Sequence, residues 1–481
     1  MSITTDSREI AMPQELGAAE EPVNCPPTPK YTDGGYGWVI LASCFIITGL
    51  SASFVKIFGI IFLDIQVYFN VFAFKVSWIT AITVAVFHMC SPVASALSLL
   101  LSHRNVIIIG GILSSLGLLL GSFGFSLLAM YLTTGFLTGL GNGFAWIPSV
   151  SLVTQYFTER RPLANALASC GECVFTFIFT PFYQWLVDLM SWRQAMMIIA
   201  GIQLNLCVCG ALMRPYQPQR KCLNSTTSSA STSQRALCST GPEYKKNFTN
   251  FFDLSLLKQP KFICMVFFGF FSVVGFIIPA IYLIPHAQNI GIPDFQAALL
   301  MSYWSAGDLF GRLGCGWLAN LRLMKSIRLT TIMITILSIG LMLFPVAKSY
   351  MLIIIFSCIC GFFFGTMLAI IVTVLTDVMG VEKLDNSLGL IMFFRTIGCL
   401  LGPPLAGFLV DITGAYSIGF YVAGGGLFIA ACFLVLADYC LSREQSSRQD
   451  TEEMVKFTSQ SQPREEAEQE TLATDRMTEN Q

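Results

Sequence analysis

Histidine is nearly missing from this chain: 481 residues contain 3, and charged residues of both signs together make up only 12%. So few histidines, with no HExxH-type spacing, leave no ligand set for a catalytic zinc. No nucleophile motif and no phosphate-cradling glycine loop is present either, so hydrolytic and ATP-driven chemistry lack their usual parts. The sequence is read as a non-enzyme, with no cofactor, no metal and no nucleic-acid partner. The first 30 or so residues hold Glu15, Glu20, Glu21 and a PPTP run but no apolar signal-peptide core, from which a cytosolic amino terminus is expected.

What the chain has in abundance is apolar residues, 54% of the total, far more than one soluble core of this length would use. Divided at Gly, Pro and charge clusters, it gives about twelve largely apolar stretches of about 18 residues or more, the length at which a helix crosses about 30 Å of hydrocarbon. They fall at Trp38–Leu63, Ser77–Leu101, Val106–Phe125, Leu127–Leu152, Leu163–Val187, Arg193–Met213, Phe262–Pro285, Ala297–Asn320, Leu329–Val346, Met351–Thr376, Asn386–Val410 and Tyr416–Ala437. The expected fold is therefore all-α and membrane-spanning.

An even number of spans returns the carboxyl terminus to the cytosol. Arg104, Arg160, Arg161, Arg220, Lys221, Lys245, Lys246, Arg322, Lys325, Arg328 and Lys383 fall in the alternate loops this assigns inside, against little beyond Lys75, Arg193 and Lys348 outside. A polar, Ser/Thr-rich stretch, with CLNSTTSSASTSQ at its centre, separates two halves of the chain. The expected organisation is a cytosolic tail (1–37), a six-helix half (38–213), a cytosolic central loop (214–260), a second six-helix half (261–440) and a disordered cytosolic tail (441–481). Basic turns at LLLSHRNVIIIGG and GWLANLRLMKSIRL recur at the same place in each half, the mark of two parallel repeats with the substrate between them. Cysteines such as Cys170, Cys173, Cys207, Cys209, Cys358 and Cys360 lie inside spans as small packing residues and imply no disulfide framework. The sequons at Asn224 and Asn247 sit in the cytosolic loop and are expected to carry no glycan.

Charges inside spans need a reason, because each costs about 2.5 to 3.5 kcal/mol to place at the bilayer centre. Asp308 and Arg312 stand four residues apart on one helical face of AALLMSYWSAGDLFGRLGCGWLAN, and Lys56 sits late in the first span. An acid and two bases among spans point to a carrier of small charged solutes. His88, Glu172 and Arg395 are further intramembrane candidates, while Arg160 and Arg161 suit orientation and gating.

From here the chain resembles the monocarboxylate transporter family, a branch of the major facilitator superfamily, over about Tyr31 to Ala437. Asp33-Gly34-Gly35-Tyr36-Gly37-Trp38 is similar to the family's signature before span one, and Tyr156 to Ala168, YFTERRPLANALA, to its signature at span five. The resemblance implies a plasma-membrane symporter of the lactate, pyruvate and ketone-body class. It would use Lys56, the Asp308/Arg312 pair and Phe364 for substrate and proton, and is expected in company with a single-span immunoglobulin-like glycoprotein. In this scheme Lys56, near the outer end of span one, helps admit the proton and the anion, Arg312 takes the carboxylate and Asp308, released, takes the proton. Tyr36, Ala166, Glu172 and Arg395 depart from the family pattern. They leave open a proton-independent carrier of a larger organic acid, amino acid or zwitterion such as creatine or taurine. A receptor or scaffold that keeps the fold without transporting is the third class.

Overall fold

The computed structural model describes residues 35–157, 160–214, 254–320, 325–380 and 384–446. Asp33, Gly34, Thr158, Glu159, both sequons, most of the central loop and the tail from 447 lie outside them. A chain in lipid must satisfy every backbone polar group internally, which leaves helices for segments of this kind. Helix α1 (Gly37–Ile57) continues through a 3-10 turn (Phe58–Ile60) into α2 (Phe62–Phe69). Then come α3 (Ala73–Met89), α4 (Ser91–Leu101), α5 (His103–Ser122) and α6 (Leu127–Met130). A π-helical stretch (Tyr131–Leu137) links α6 to α7 (Thr138–Tyr156), and α8 (Arg161–Leu189), α9 (Trp192–Gln203) and α10 (Asn205–Leu212) follow. The second half holds α11 (Pro260–Asn289), α12 (Asp294–Asn320), α13 (Ser326–Leu343), α14 (Tyr350–Met379), α15 (Leu384–Thr413) and α16 (Ser417–Ser446).

Among the described residues 10 helices are long and apolar enough to cross a bilayer, and α3 with the start of α4, bent by 43°, makes 11. Helix α12 has 27 residues but carries Asp308, Arg312 and several small polar residues that lower its hydropathy. With it the arrangement is compatible with the twelve expected spans.

Several boundaries move. Span two bends at Cys90, where Pro92 in the first turn of α4 cannot donate to the preceding turn. Span seven does not stop at Pro285: α11 carries both Pro279 and Pro285 inside it and runs to Asn289, as proline is tolerated where neighbouring helices resatisfy the backbone. The last helix passes Ala437 and extends to Ser446, so the carboxyl-terminal tail is not irregular from 441. Two ion pairs hold this extension: Arg328 to Asp438 at 2.9 Å and Lys261 to Glu444 at 2.7 Å.

In the first half α1 packs on α8, α3 on α7, and α5 on α7; in the second, α11 packs on α15, α12 on α14, and α13 on α14. The halves meet at two seams, α3 with α15 and α8 with α12. Exchanging the halves maps each seam onto the other, as parallel repeats require. At the α3–α15 seam Gly407 lets the backbones approach: a Cβ there would lie 2.7 Å from Ser77 Oγ and 2.9 Å from Phe74 Cα. The membrane face where α1 begins is called the near face, and the opposite one the far face.

The far face is bonded across the halves. Asp411, near the end of α15, accepts from the N–H groups of Ala73 (2.8 Å) and Phe74 (2.9 Å), the first two residues of α3. Ser77 and Tyr282 share a hydrogen bond of 2.5 Å, and Tyr416 donates to Gln66 Oε1 at 3.1 Å. On the near face the bonds to Leu212, Arg214, Asp438 and Glu444 stay within a half. A buried apolar cluster including Phe58, Phe62, Val76, Tyr282, Ile284, Trp304 and Phe420 continues the far-side junction toward the membrane centre.

Candidate functional site

Below that cluster four charged side chains meet. Lys56, from the last turn of α1, lies 2.9 Å from Glu172 Oε1 and 3.2 Å from Asp308 Oδ2. Arg312 holds Asp308 with Nε at 2.7 Å and Nη2 at 3.2 Å, and its Nη2 reaches Glu172 Oε2 at 2.8 Å. Its Nη1 donates to the Ser169 carbonyl at 3.0 Å, so the guanidinium is held on three sides. The side chain of Asp308 is fully enclosed, while that of Glu172 keeps 16% of its surface accessible. Two cations and two carboxylates sum to zero.

Local sequence explains the geometry. The spacing of four puts Asp308 and Arg312 on one face of α12, where such a pair is in reach. Gly365 of α14 makes room: a Cβ there would lie 2.7 Å from Asp308 Oδ1 and would also strike the Asp308 carbonyl oxygen. Beside it, the Phe364 ring lies 5.3 Å from Lys56 Nζ and packs edge-on against Phe276 and Trp304. Thus Lys56 has a carboxylate on two sides and an aromatic face on a third.

Lys56, Asp308, Arg312 and Phe364, the four candidates drawn from the resemblance, are therefore neighbours. Two details differ from expectation. Lys56 is not near an outer end, because the 3-10 turn and α2 carry the chain twelve residues further; it is buried and shared between two acids. Asp308 is not paired with Arg312 alone, since Lys56 bonds it from the other half.

The remaining candidates divide. Glu172 joins the cluster as a bridge between the cations. His88 and Arg395 belong instead to the α3–α15 seam. There His88 Nδ1 donates to the Val84 carbonyl at 2.8 Å and lies 3.8 Å from Cys399 Sγ. Arg395 is buried, and its Nε finds no hydrogen-bond partner among the described residues. Arg160 and Arg161 lie where α8 begins, about 18 Å along the helix from Glu172 at a rise of about 1.5 Å per residue. Asp411 and the Ser77–Tyr282 pair were not singled out from the sequence. The available signal was a carboxylate ending the GPPLAGFLVD run, one residue past the expected eleventh span, where a solvated role is the ordinary expectation.

The Major Facilitator Superfamily profile matches residues 43–403 and 353–467. Over 410 residues the chain is 34% identical to monocarboxylate transporter 12 of Xenopus laevis, covering 84% of this chain and 89% of that one. It is 32% identical over 443 residues to human monocarboxylate transporter 2, covering 89% and 92%. Among solved structures, it resembles a bacterial homolog to the human lysosomal transporter Spinster, in an inward-facing and unoccupied conformation. The TM-score is 0.63 at 14% identity, over 85% of this chain and 99% of that one, a similarity of fold.

Proposed function

Because this chain belongs to the monocarboxylate transporter family of the major facilitator superfamily, and is thus a multi-pass membrane transporter and not an enzyme, we propose that it carries small monocarboxylates of the lactate, pyruvate or ketone-body class together with a proton. The observation that carries this reading is the neutral four-charge cluster at the α8–α12 seam. Arg312 offers a carboxylate the Nη2 edge that Glu172 now holds, Lys56 adds a point charge beside it, and Phe364 with Trp304 walls the apolar end of a short substrate. A carboxylate entering alone would make the cluster net negative, and a proton alone would make it net positive. Either leaves a charge uncompensated in the membrane interior, which costs several kcal/mol. Arriving together they leave the total at zero, which supports coupled movement as the halves rock about the site.

The near face is taken as cytosolic, with both termini there, and the membrane as the plasma membrane. Arg104, Arg160, Lys261, Lys325 and Arg328 lie toward the near face, against Lys75, Arg193 and Lys348 toward the far one. A second reading, proton-independent transport of a zwitterion such as creatine or taurine, is favoured by the added acid Glu172 and by the buried Arg395, whose Nε has no hydrogen-bond partner among the described residues. The deciding measurement is uptake of labelled lactate, pyruvate, β-hydroxybutyrate, creatine and taurine into vesicles carrying the protein, with and without an inward proton gradient. Gradient-stimulated uptake of a carboxylate supports symport, whereas gradient-indifferent uptake of creatine or taurine replaces it with the second reading.

A further inference from the structure

The arrangement of the four charges assigns a separate task to Glu172, and it rests on the proton-coupled reading just given. We propose that Glu172 is a tethered stand-in for the substrate's carboxylate: it occupies the anion position in the empty site and is displaced, as the neutral acid, when substrate binds.

Each oxygen of Glu172 is bonded to a different cation, Oε1 to Lys56 at 2.9 Å and Oε2 to Arg312 at 2.8 Å. One carboxylate spanning both cations is the pose that a bound monocarboxylate would need, so the two compete for the same N–H donors. Asp308 is held differently. It receives two bonds from Arg312 on its own helix, a pairing that persists whichever way the halves tilt, and its side chain is fully enclosed. Glu172 comes from α8, across a seam from Arg312, and its side chain is the most accessible of the four. The carboxylate whose side chain is the more accessible and whose two cation partners both lie on other helices is the one that can swing away and be protonated.

The charges and atoms balance. The entering carboxylate replaces Glu172 on Lys56 and Arg312, and one proton from the entry side converts the freed carboxylate to a carboxylic acid. The cluster then holds Lys56, Arg312, Asp308, one substrate anion and neutral Glu172, and its total is zero before and after. On release the acid gives up its proton and Glu172 closes back onto the two cations. The proton is carried on this glutamate, while Asp308 keeps Arg312 oriented throughout.

The test uses the full-length protein in proteoliposomes, with labelled L-lactate and β-hydroxybutyrate as probes, comparing wild type, Glu172→Gln, Glu172→Asp and Asp308→Asn. A neutral glutamine cannot offset the cations' charge or take a proton. In Glu172→Gln we expect a lower KM, loss of stimulation by the inward proton gradient and retained exchange of internal for external substrate. Net uptake falls because the empty site is now positive. Glu172→Asp, too short to bridge both cations, keeps the gradient stimulation and also shows a lower KM, and it serves if the glutamine variant does not fold. Full gradient stimulation in Glu172→Gln, or a raised KM in Glu172→Asp, overturns the assignment and leaves the carrier proton-coupled through another group. Gradient-indifferent uptake by the wild type overturns the symport reading itself, before any variant is considered.

Discussion

Asp411→Asn is expected to loosen the far-face closure by an amount that can be worked from its contacts. The carboxylate accepts from two consecutive N–H groups, at 2.8 and 2.9 Å, at the start of a helix in the other half of the molecule. An acceptor side chain at a helix start contributes about 0.5–2 kcal/mol. The negative charge facing the helix dipole adds about 0.3–1 kcal/mol. Asparagine keeps one acceptor oxygen but loses the second and the charge, so a net loss of about 1–2 kcal/mol is reasonable, a factor of about 5–30 in an equilibrium. These contacts cross the α3–α15 seam and must break for the far face to open, so the loss falls on the closed state. Ser77, buried one turn into α3 and bonded to Tyr282, reports the opening. In a Ser77→Cys background, Asp411→Asn should raise the rate of labelling by a membrane-impermeant maleimide applied from the far side by about the same factor of 5–30. Labelling of native cysteines from the near side should not rise with it. A change below about twofold, which is smaller than the loss of even one weak hydrogen bond, would refute the claim that Asp411 latches the far face.

Gly365→Ala should drive a methyl group against Asp308, whose Oδ1 would lie 2.7 Å away, and such overpacking typically costs about 1–3 kcal/mol. We expect a lower melting temperature in detergent and reduced uptake, and unchanged values of both would mean that α14 yields freely. Lys56→Gln leaves two carboxylates on Arg312 alone, and breaking a buried pair of this kind costs about 3–5 kcal/mol. Adding Glu172→Gln restores neutrality, so the double variant should unfold at a higher temperature than Lys56→Gln; additive losses would show that the two side chains do not interact. Asn142→Leu removes the acceptor for Ser114 Oγ (2.7 Å) and Gln203 Nε2 (2.8 Å), both buried between α5, α7 and α9. It should lower thermal stability by about 1–3 kcal/mol through unmet polar groups, with KM unaltered, since the network lies within one half; a changed KM would place it in the transport path.

Much of the architecture was legible because hydrophobicity in lipid is a length signal, and the length of a span is nearly all that an α1 or an α5 needs. Endings were harder. A proline usually stops a soluble helix, yet Pro285 sits inside α11, where neighbouring helices rather than water surround the backbone. The final helix outlasts its apolar run because Asp438 and Glu444 find Arg328 and Lys261, pairings invisible to a one-dimensional reading. In the candidate site, the spacing of Asp308 and Arg312 declared their pairing, since it is local. Nothing local joins Lys56 to Asp308, 252 residues away, or Glu172 to Arg312, 140 away. Those contacts follow from which helices pack, and the packing of α1 on α8 and of α8 on α12 decides that. Arg395 shows the converse: its charge looked like part of the same pocket, but its helix belongs to the other seam.

The distribution of the four charges between the halves bears directly on how the empty carrier returns. Lys56 and Glu172 pair within the first half, Asp308 and Arg312 within the second, and Lys56–Asp308 and Arg312–Glu172 cross between them. If the halves rock and strain the crossing contacts, each half still holds a self-neutral pair. Lys56, Asp308 and Arg312 alone, the three charges to which the family resemblance points, would sum to one net positive charge, and an empty site would have to reorient with that charge buried. Glu172 removes it. The same addition means that an anion no longer finds an uncompensated cation waiting and must displace a carboxylate to bind. Easier empty return and stricter loading thus come from a single side chain, and substituting it should change the two in opposite directions.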